Sequence, residues 1–221
     1  MTAKKNNYKI CFFDIDGTLI PNTSCEFLFI KYLLKYKKIP IKNIYLTFLS
    51  LIKNINELDK NIHENKFYLK DFFINDILTY TKDCFESTIK NKISIDGLSE
   101  LRKLHSQNIS IILLSAGPDF LVEMIASYIN AHHYLATSFT MQHNKFVGTI
   151  NGTQPYGIGK YIVVNEYVKK HGITLNECIA YGNSFSDRYL LSAVGVPIAV
   201  NPDFKLKNYA KKRFWRITYF R

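Results

Sequence analysis

Asp14 and Asp16 stand two residues apart at the end of an apolar run, Ile10-Cys11-Phe12-Phe13, and Gly17 follows them. Residues alternate in facing along a strand, so a strand here turns both carboxylates one way and Ile15 the other. Two carboxylates that close repel each other unless a cation or a shared proton lies between them. Gly17 lets the backbone turn where a side chain would obstruct it. Solvated acids in a strand-end turn are the plain alternative. Three later segments carry polar groups in comparable settings: Ser115 after Ile109–Leu114, Lys160 in Gly157-Ile158-Gly159-Lys160, and Asn183 with Asp187 after Cys178–Tyr181.

Each of these groups needs an element to position it. The apolar runs 10–13, 109–114, 178–181 and 195–200 read as buried strands. Acids at the end of a strand place charge at the carboxyl edge of a sheet, where open α/β folds build their sites. Asp96-Gly97 precedes an amphipathic stretch (Leu98, Leu101, Leu104) and reads as a helix start with Asp96 as N-cap. Pro118 suits the first position of a helix after Ser115-Ala116-Gly117. The segment Phe139–Gly148 alternates about a polar turn and predicts a β-hairpin. Asn201-Pro202-Asp203 caps a helix ending near Arg213.

The string Phe13-Asp14-Ile15-Asp16-Gly17-Thr18-Leu19 resembles the first motif of the haloacid dehalogenase (HAD) superfamily of aspartyl-phosphate phosphatases. Ser115-Ala116-Gly117-Pro118-Asp119 is similar to the second motif, in the form of the phosphoserine-phosphatase-like branch (subfamily IB). Gly159-Lys160 resembles the third, and Gly182-Asn183-Ser184-Phe185-Ser186-Asp187 the fourth. The resemblance covers residues 8–20 and about 94–221. It implies that Asp14 attacks phosphorus to form a covalent phosphoenzyme and that Asp16 shuttles the proton. It also implies that Ser115, the main chain at Ala116 and Lys160 hold the phosphoryl oxygens, partly at a helix start. Mg²⁺ is then expected on Asp14, Asp16 (through its backbone carbonyl) and Asn183, with Asp187 behind.

The chain departs from the family at position 183, where Asp is usual and Asn stands here. Asn offers a carbonyl oxygen that hard cations accept but no charge. Three readings stay open: an enzyme with a weakened metal site, a catalytically feeble descendant, or a substitution made to trap a complex. The glycine-flanked Lys160 is not an ATP-binding loop, because Tyr161 replaces the Ser or Thr such a loop requires and the earlier glycine is missing.

With 221 residues, 47% of them hydrophobic, the chain can bury one substantial core and carry one insert. Cys11, Cys25, Cys84 and Cys178 lack C-x-x-C pairing and read as reduced, buried thiols rather than a disulfide or zinc framework. No signal-like segment precedes the first strand, and the longest apolar stretch, 44–52, is too short to span a bilayer. A cytoplasmic protein without a transmembrane segment is expected. The net charge of +11 is not required by an enzyme. It could steer an anionic substrate or favour nucleic acid or an anionic membrane, and much of it lies in Lys205, Lys207, Lys211, Lys212, Arg213, Arg216 and Arg221. No nucleic-acid-binding motif accompanies it. His132, His133 and His143 lack partners at metal-ligand spacing.

The fold expected is α/β, a Rossmann-like parallel-sheet core with an inserted helical cap of the C1 type. The core comprises 1–20 and 94–221, and the cap 21–93. The cap pattern reads as helical throughout, in segments led by Phe27–Leu34, Ile44–Ile52 and Phe72–Tyr80. Glu26, Lys31 and His63 are candidate substrate contacts there. The expected function is a Mg²⁺-dependent phosphomonoesterase acting through an aspartyl-phosphate on a small or amphiphilic phosphate. The alternative is a degenerate HAD protein that binds a phosphorylated ligand or partner without turnover.

Overall fold

The computed structural model describes residues 8–53 and 65–221. Period-two burial organises it. In strand β1 (Ile10–Asp14), Cys11 and Phe13 enter one hydrophobic cluster while Ile10 and Phe12 enter another on the opposite face. Strand β2 (Ser110–Pro118) repeats this, with Ile111 and Leu113 on the first face and Ile112 and Leu114 on the second. A run that is apolar on both faces belongs in the middle of a covered sheet.

The remaining strands are β3 (His133–Gln142), β4 (Lys145–Asn151), β5 (Cys178–Gly182), β6 (Val196–Val200) and β7 (Arg216–Thr218). Among the described residues they form one sheet in the order β4-β3-β2-β1-β5-β6-β7. Every pair is parallel except β3 with β4, which forms the predicted hairpin. His143 and Asn144 both take positive φ at its tip (51° and 60°), the conformation of a two-residue hairpin turn that matches strand twist. The chain builds outward from β1 to one side, then returns to β1 and builds to the other. The reversal leaves a crevice at the carboxyl ends of β1, β2 and β5.

Helices cover both faces. The second cluster holds Val164 and Val168 of α6 (Ile158–Lys170), Leu190 and Leu191 of α7 (Arg188–Leu191), and Leu206 and Ala210 of α8 (Phe204–Lys212). The first cluster holds α4 (Ile95–Ser106) and α5 (Asp119–Tyr128) together with residues of the insert between β1 and β2. That insert carries α1 (Cys25–Lys35), α2 (Ile41–Lys53) and α3 (Ile74–Cys84), the last prolonged by a π turn, Phe85–Ile89. Phe29, Leu33, Ile77, Phe85 and Ile89 of the insert share one continuous core with Phe13, Leu113, Phe120 and Ile125.

The insert is not helical throughout. Between α2 and α3 it lies against the hairpin through isolated bridges on either side of a 3-10 turn (Phe67–Leu69): Asn65–Thr149 before it and Phe73–Lys145 after it. The N-cap of α4 is Ser94 rather than Asp96: Ser94 Oγ accepts from Gly97 N at 3.1 Å, and the helix starts at Ile95. Asp96 lies in the first turn, where a carboxylate complements the helix dipole. Pro118 is the cap residue of α5, not its first helical residue, because β2 continues to it. All four cysteines are buried and free. Among the described residues, no helix is long and apolar enough to cross a membrane.

Candidate active site

Asp14 closes β1 and is almost fully buried. One of its oxygens accepts from Lys160 Nζ at 2.7 Å, the other from Thr18 Oγ1 at 2.6 Å. Lys160 reaches it from the first turn of α6, whose N-cap Gly157 has φ +55°. The same ammonium contacts Asp187 Oδ1 at 2.8 Å. Burial alone would lower the Lys160 pKa, but Asp14 and Asp187 together raise it above its ordinary value. Burial pushes Asp14 up to about 7; Lys160 opposes this and the Asp187 charge adds to it. One cation serves two carboxylates.

Asp16 follows in the turn after β1. Its Oδ1 accepts from Cys25 N at 2.7 Å, the first residue of α1, and its Oδ2 from Ser115 Oγ at 3.0 Å. Burial raises its pKa, against those hydrogen bonds and the more distant Lys160 charge. Ile15 points away into the core, so Asp14 and Asp16 face one cavity.

The third strand end is fixed by its own loop. Asp187 Oδ2 accepts from Asn183 N at 3.0 Å and Ser184 N at 3.1 Å. The carbonyl of Asn183 accepts from Asp203 N at 2.9 Å, so the peptide at 183 is held on both sides. Its amide side chain packs on Gly17: a Cβ there would lie 1.9 Å from Asn183 Nδ2, and Gly17 has φ +77°. Only glycine meets both demands.

These groups line a cavity of about 260 Å³ that includes Asp14, Asp16, Ala116, Lys160, Asn183 and Asp187. Ser115 is the exception among the residues of the four motifs named above as site residues. It is fully buried, does not line the cavity, and its hydroxyl lies between Asp16 and the Gly117 N–H, which donates to it at 2.9 Å. That N–H is therefore turned inward rather than to the cavity. Ser24, Glu26, Gly117, Tyr156, Ser184 and Ser186 also line it. Ser184 and Ser186 were readable as part of the 182–187 loop; Ser24 and Tyr156 carried no signal in the sequence. Glu26 lies at the rim, bonded to Lys66 Nζ at 2.7 Å and Tyr68 Oη at 2.9 Å. Lys31 is exposed on α1 and does not line the cavity, and His63 lies outside the described residues. Cys25 abuts the site, but burial and then the Asp16 charge push its thiol pKa well up, which excludes a ready thiolate. A larger space of about 620 Å³ lies elsewhere, by the stacked rings of His133, Tyr167 and His171, and holds none of these carboxylates.

Residues 11–192 match the haloacid dehalogenase-like hydrolase family. The chain is 28% identical over 218 residues to phosphoserine phosphatase SerB1 of Mycobacterium tuberculosis, covering 95% of this chain and 70% of that one. It is 23% identical to a histidinol-phosphatase of Neisseria meningitidis, covering 96% and 99%. Among solved structures, a protein of unknown function from Bordetella pertussis superposes with a TM-score of 0.82 at 21% identity, covering 95% of this chain and 97% of that one. A phosphoserine phosphatase with a phospho-aspartyl intermediate analogue gives 0.64 at 18% identity, covering 96% and 92%. The chain belongs to the haloacid dehalogenase-like hydrolases. Within them it is a phosphatase, with the fold of the phosphoserine-phosphatase-like members.

Phosphatases of this family generally use Mg²⁺, and the residues here fit such an ion. Among the described residues that line the cavity, the carboxylates of Asp14, Asp16 and Asp187 stand near one another with the Lys160 ammonium between two of them, a surplus of negative charge that a cation would offset. Among the described residues, no three acidic, His or Cys side chains form a metal cage alone. Neutral oxygens must complete the set, which suits a hard cation that retains waters and takes only one or two carboxylates.

Proposed function

We propose that the protein is a Mg²⁺-dependent phosphomonoesterase acting through an aspartyl-phosphate on Asp14. The observation that carries this reading is the Lys160 ammonium bonded to both Asp14 and Asp187 beneath a cavity that Asp16 also faces. Asp14 attacks phosphorus in line, forming the O–P bond as the ester O–P bond breaks. Asp16, its pKa raised by burial, protonates the departing alkoxide and then takes a proton from the water that cleaves the acyl phosphate. Lys160 keeps the nucleophile oriented and offsets phosphoryl charge. Asp14, the Asp16 carbonyl and Asn183 would hold Mg²⁺, with Asp187 fixing the 183 loop; the ion, when bound, supplies Lewis-acid charge stabilisation. Ser115 acts by orienting Asp16.

The 21–93 insert serves as the cap over this cavity and carries the leaving-group side. Glu26 is already neutralised there by Lys66, so the site does not offer a free carboxylate to an ammonium. That favours a small or amphiphilic phosphate whose leaving group lacks a positive charge, hydrolysed in the cytoplasm. Asn183 favours the second reading, binding of a phosphorylated ligand with little turnover, because it removes one charge from the metal position. The test is hydrolysis of an aryl phosphate with and without Mg²⁺, followed by acid quenching and peptide mass mapping. Mg²⁺-dependent turnover with phosphate on the Asp14 peptide is expected. Tight phosphate-ester binding without turnover would select the second reading.

A further inference from the structure

The insert turns one helix the wrong way round for a free surface. On α2, the polar side faces the protein: Asn43 is buried, its Nδ2 donates to Lys70 O at 2.6 Å, and Thr47 and Ser50 bond back to the helix. Ile41, Ile44, Tyr45 and Phe48, spaced three and four apart on one stripe, are exposed by 85%, 44%, 59% and 58%. An outward apolar stripe on a helix requires a partner.

The charge around the stripe says which partner. Between residues 27 and 53 the sequence has six lysines, 31, 35, 37, 38, 42 and 53, and no Asp or Glu. Lys31, Lys35, Lys37, Lys38 and Lys42 are exposed. Among the described residues, their neighbours offer little to cancel them. Lys35 and Lys38 lie over the Tyr36 and Tyr80 rings, and Lys42 has only a 3.9 Å contact to exposed Asp71. A second copy on this face would set two lysine-rich clusters against each other. An anionic lipid surface instead satisfies both features, taking the apolar stripe below the headgroups and the lysines among the phosphates. Long lysine stems reach such a layer while their bodies lie along apolar surface.

We propose that the α2 face docks the protein on anionic membrane surfaces as a peripheral element. The inference goes beyond the phosphatase reading and does not depend on it.

Full-length protein should co-sediment with vesicles of phosphatidylcholine mixed with phosphatidylglycerol about 10-fold or more tightly than with phosphatidylcholine alone, and less as salt rises. Ile44→Asp with Phe48→Asp should weaken that binding about 10-fold or more while the circular dichroism and melting temperature are kept. Lys37→Gln, Lys38→Gln and Lys42→Gln together should weaken it comparably and flatten the salt dependence. Phe48→Trp should shift its emission to the blue on the mixed vesicles. Equal binding to neutral vesicles, or binding untouched by both sets of variants, overturns the proposal. So does a dimer in sedimentation equilibrium that the apolar variant dissolves, or polyanion capture that needs the lysines but not Ile44 and Phe48.

Discussion

At the end of β1, Asp14 gives one oxygen to Lys160 and the other to a hydroxyl, Thr18. After β5, Asp187 gives one oxygen to the same Lys160 and the other to two main-chain N–H groups of its own loop. Both carboxylates are nearly inaccessible. The difference lies in what each would leave behind. Without Asp187, two half-buried N–H donors of the loop, those of Asn183 and Ser184, lose their acceptor; without Asp14, a hydroxyl and a still-paired lysine remain. On the proposed mechanism one acid is the reagent, and the other is part of the scaffold.

The sharpest way to break this contrast is Asp14→Asn. Turnover should fall by about 10⁴-fold or to background, with folding intact, since the attacking oxygen is lost. Near-full activity in that variant would refute the covalent mechanism. Asp187→Asn should do the reverse in proportion: activity lower by about 10–100-fold, with stability reduced by about 2 kcal/mol, because an amide whose oxygen accepts from both loop N–H groups turns its NH2 toward the buried Lys160 ammonium. Urea denaturation of the two variants side by side reads the difference, and equal stability losses would erase the distinction.

Asn183→Asp should lower the Mg²⁺ concentration for half-maximal activity by about 10-fold, because a charged oxygen replaces a neutral one. An unchanged requirement would remove residue 183 from the metal. Gly17→Ala tests the same contact from the other strand end. The added Cβ displaces the Asn183 amide, so the Mg²⁺ requirement should rise, and an L-residue at φ +77° should cost about 1–2 kcal/mol. The smallest effect is on pH-dependent stability. Asp14 is raised from 3.8 to about 7, so in that window the folded, cation-free protein holds a proton that the unfolded chain has released. Its stability should therefore decline as pH rises from about 4 to about 7, by no more than roughly 1.4 kcal/mol per pH unit. Melting curves in chelator should show the decline, and Asp14→Asn should flatten it.

Much of the β1, β2 and β5 architecture was legible because continuous apolar runs ending in polar residues have few alternatives to a buried strand. The pairing of Asp14 with Lys160, 146 positions apart, was legible only through the family resemblance, since spacing alone does not bring a lysine to an aspartate. Thr18 gave a hydroxyl with no hint of its bond. The α4 cap was misplaced by two residues because Ser94 and Asp96 are both good capping types, and only the Gly97 N–H decides between them. Helical periodicity located α2 but not its orientation. It reports that a helix has two faces, whereas Lys70 O, waiting for the Asn43 amide, decides which one turns inward.

Phe29 of α1 meets Phe120 of α5 edge-on, with ring centres 5.6 Å apart, inside a cluster that runs unbroken from the insert to β1 and β2. In the language of hydrogen exchange, a core this continuous predicts that the insert and the sheet open as one foldon. Amide protons of α1 should exchange no faster than those of β2, and heat should melt both in a single transition. Ligand entry then depends on small fluctuations at the rim rather than on the swing of an independent lid. An insert transplanted from a relative would need the facing side chains of α5 to travel with it.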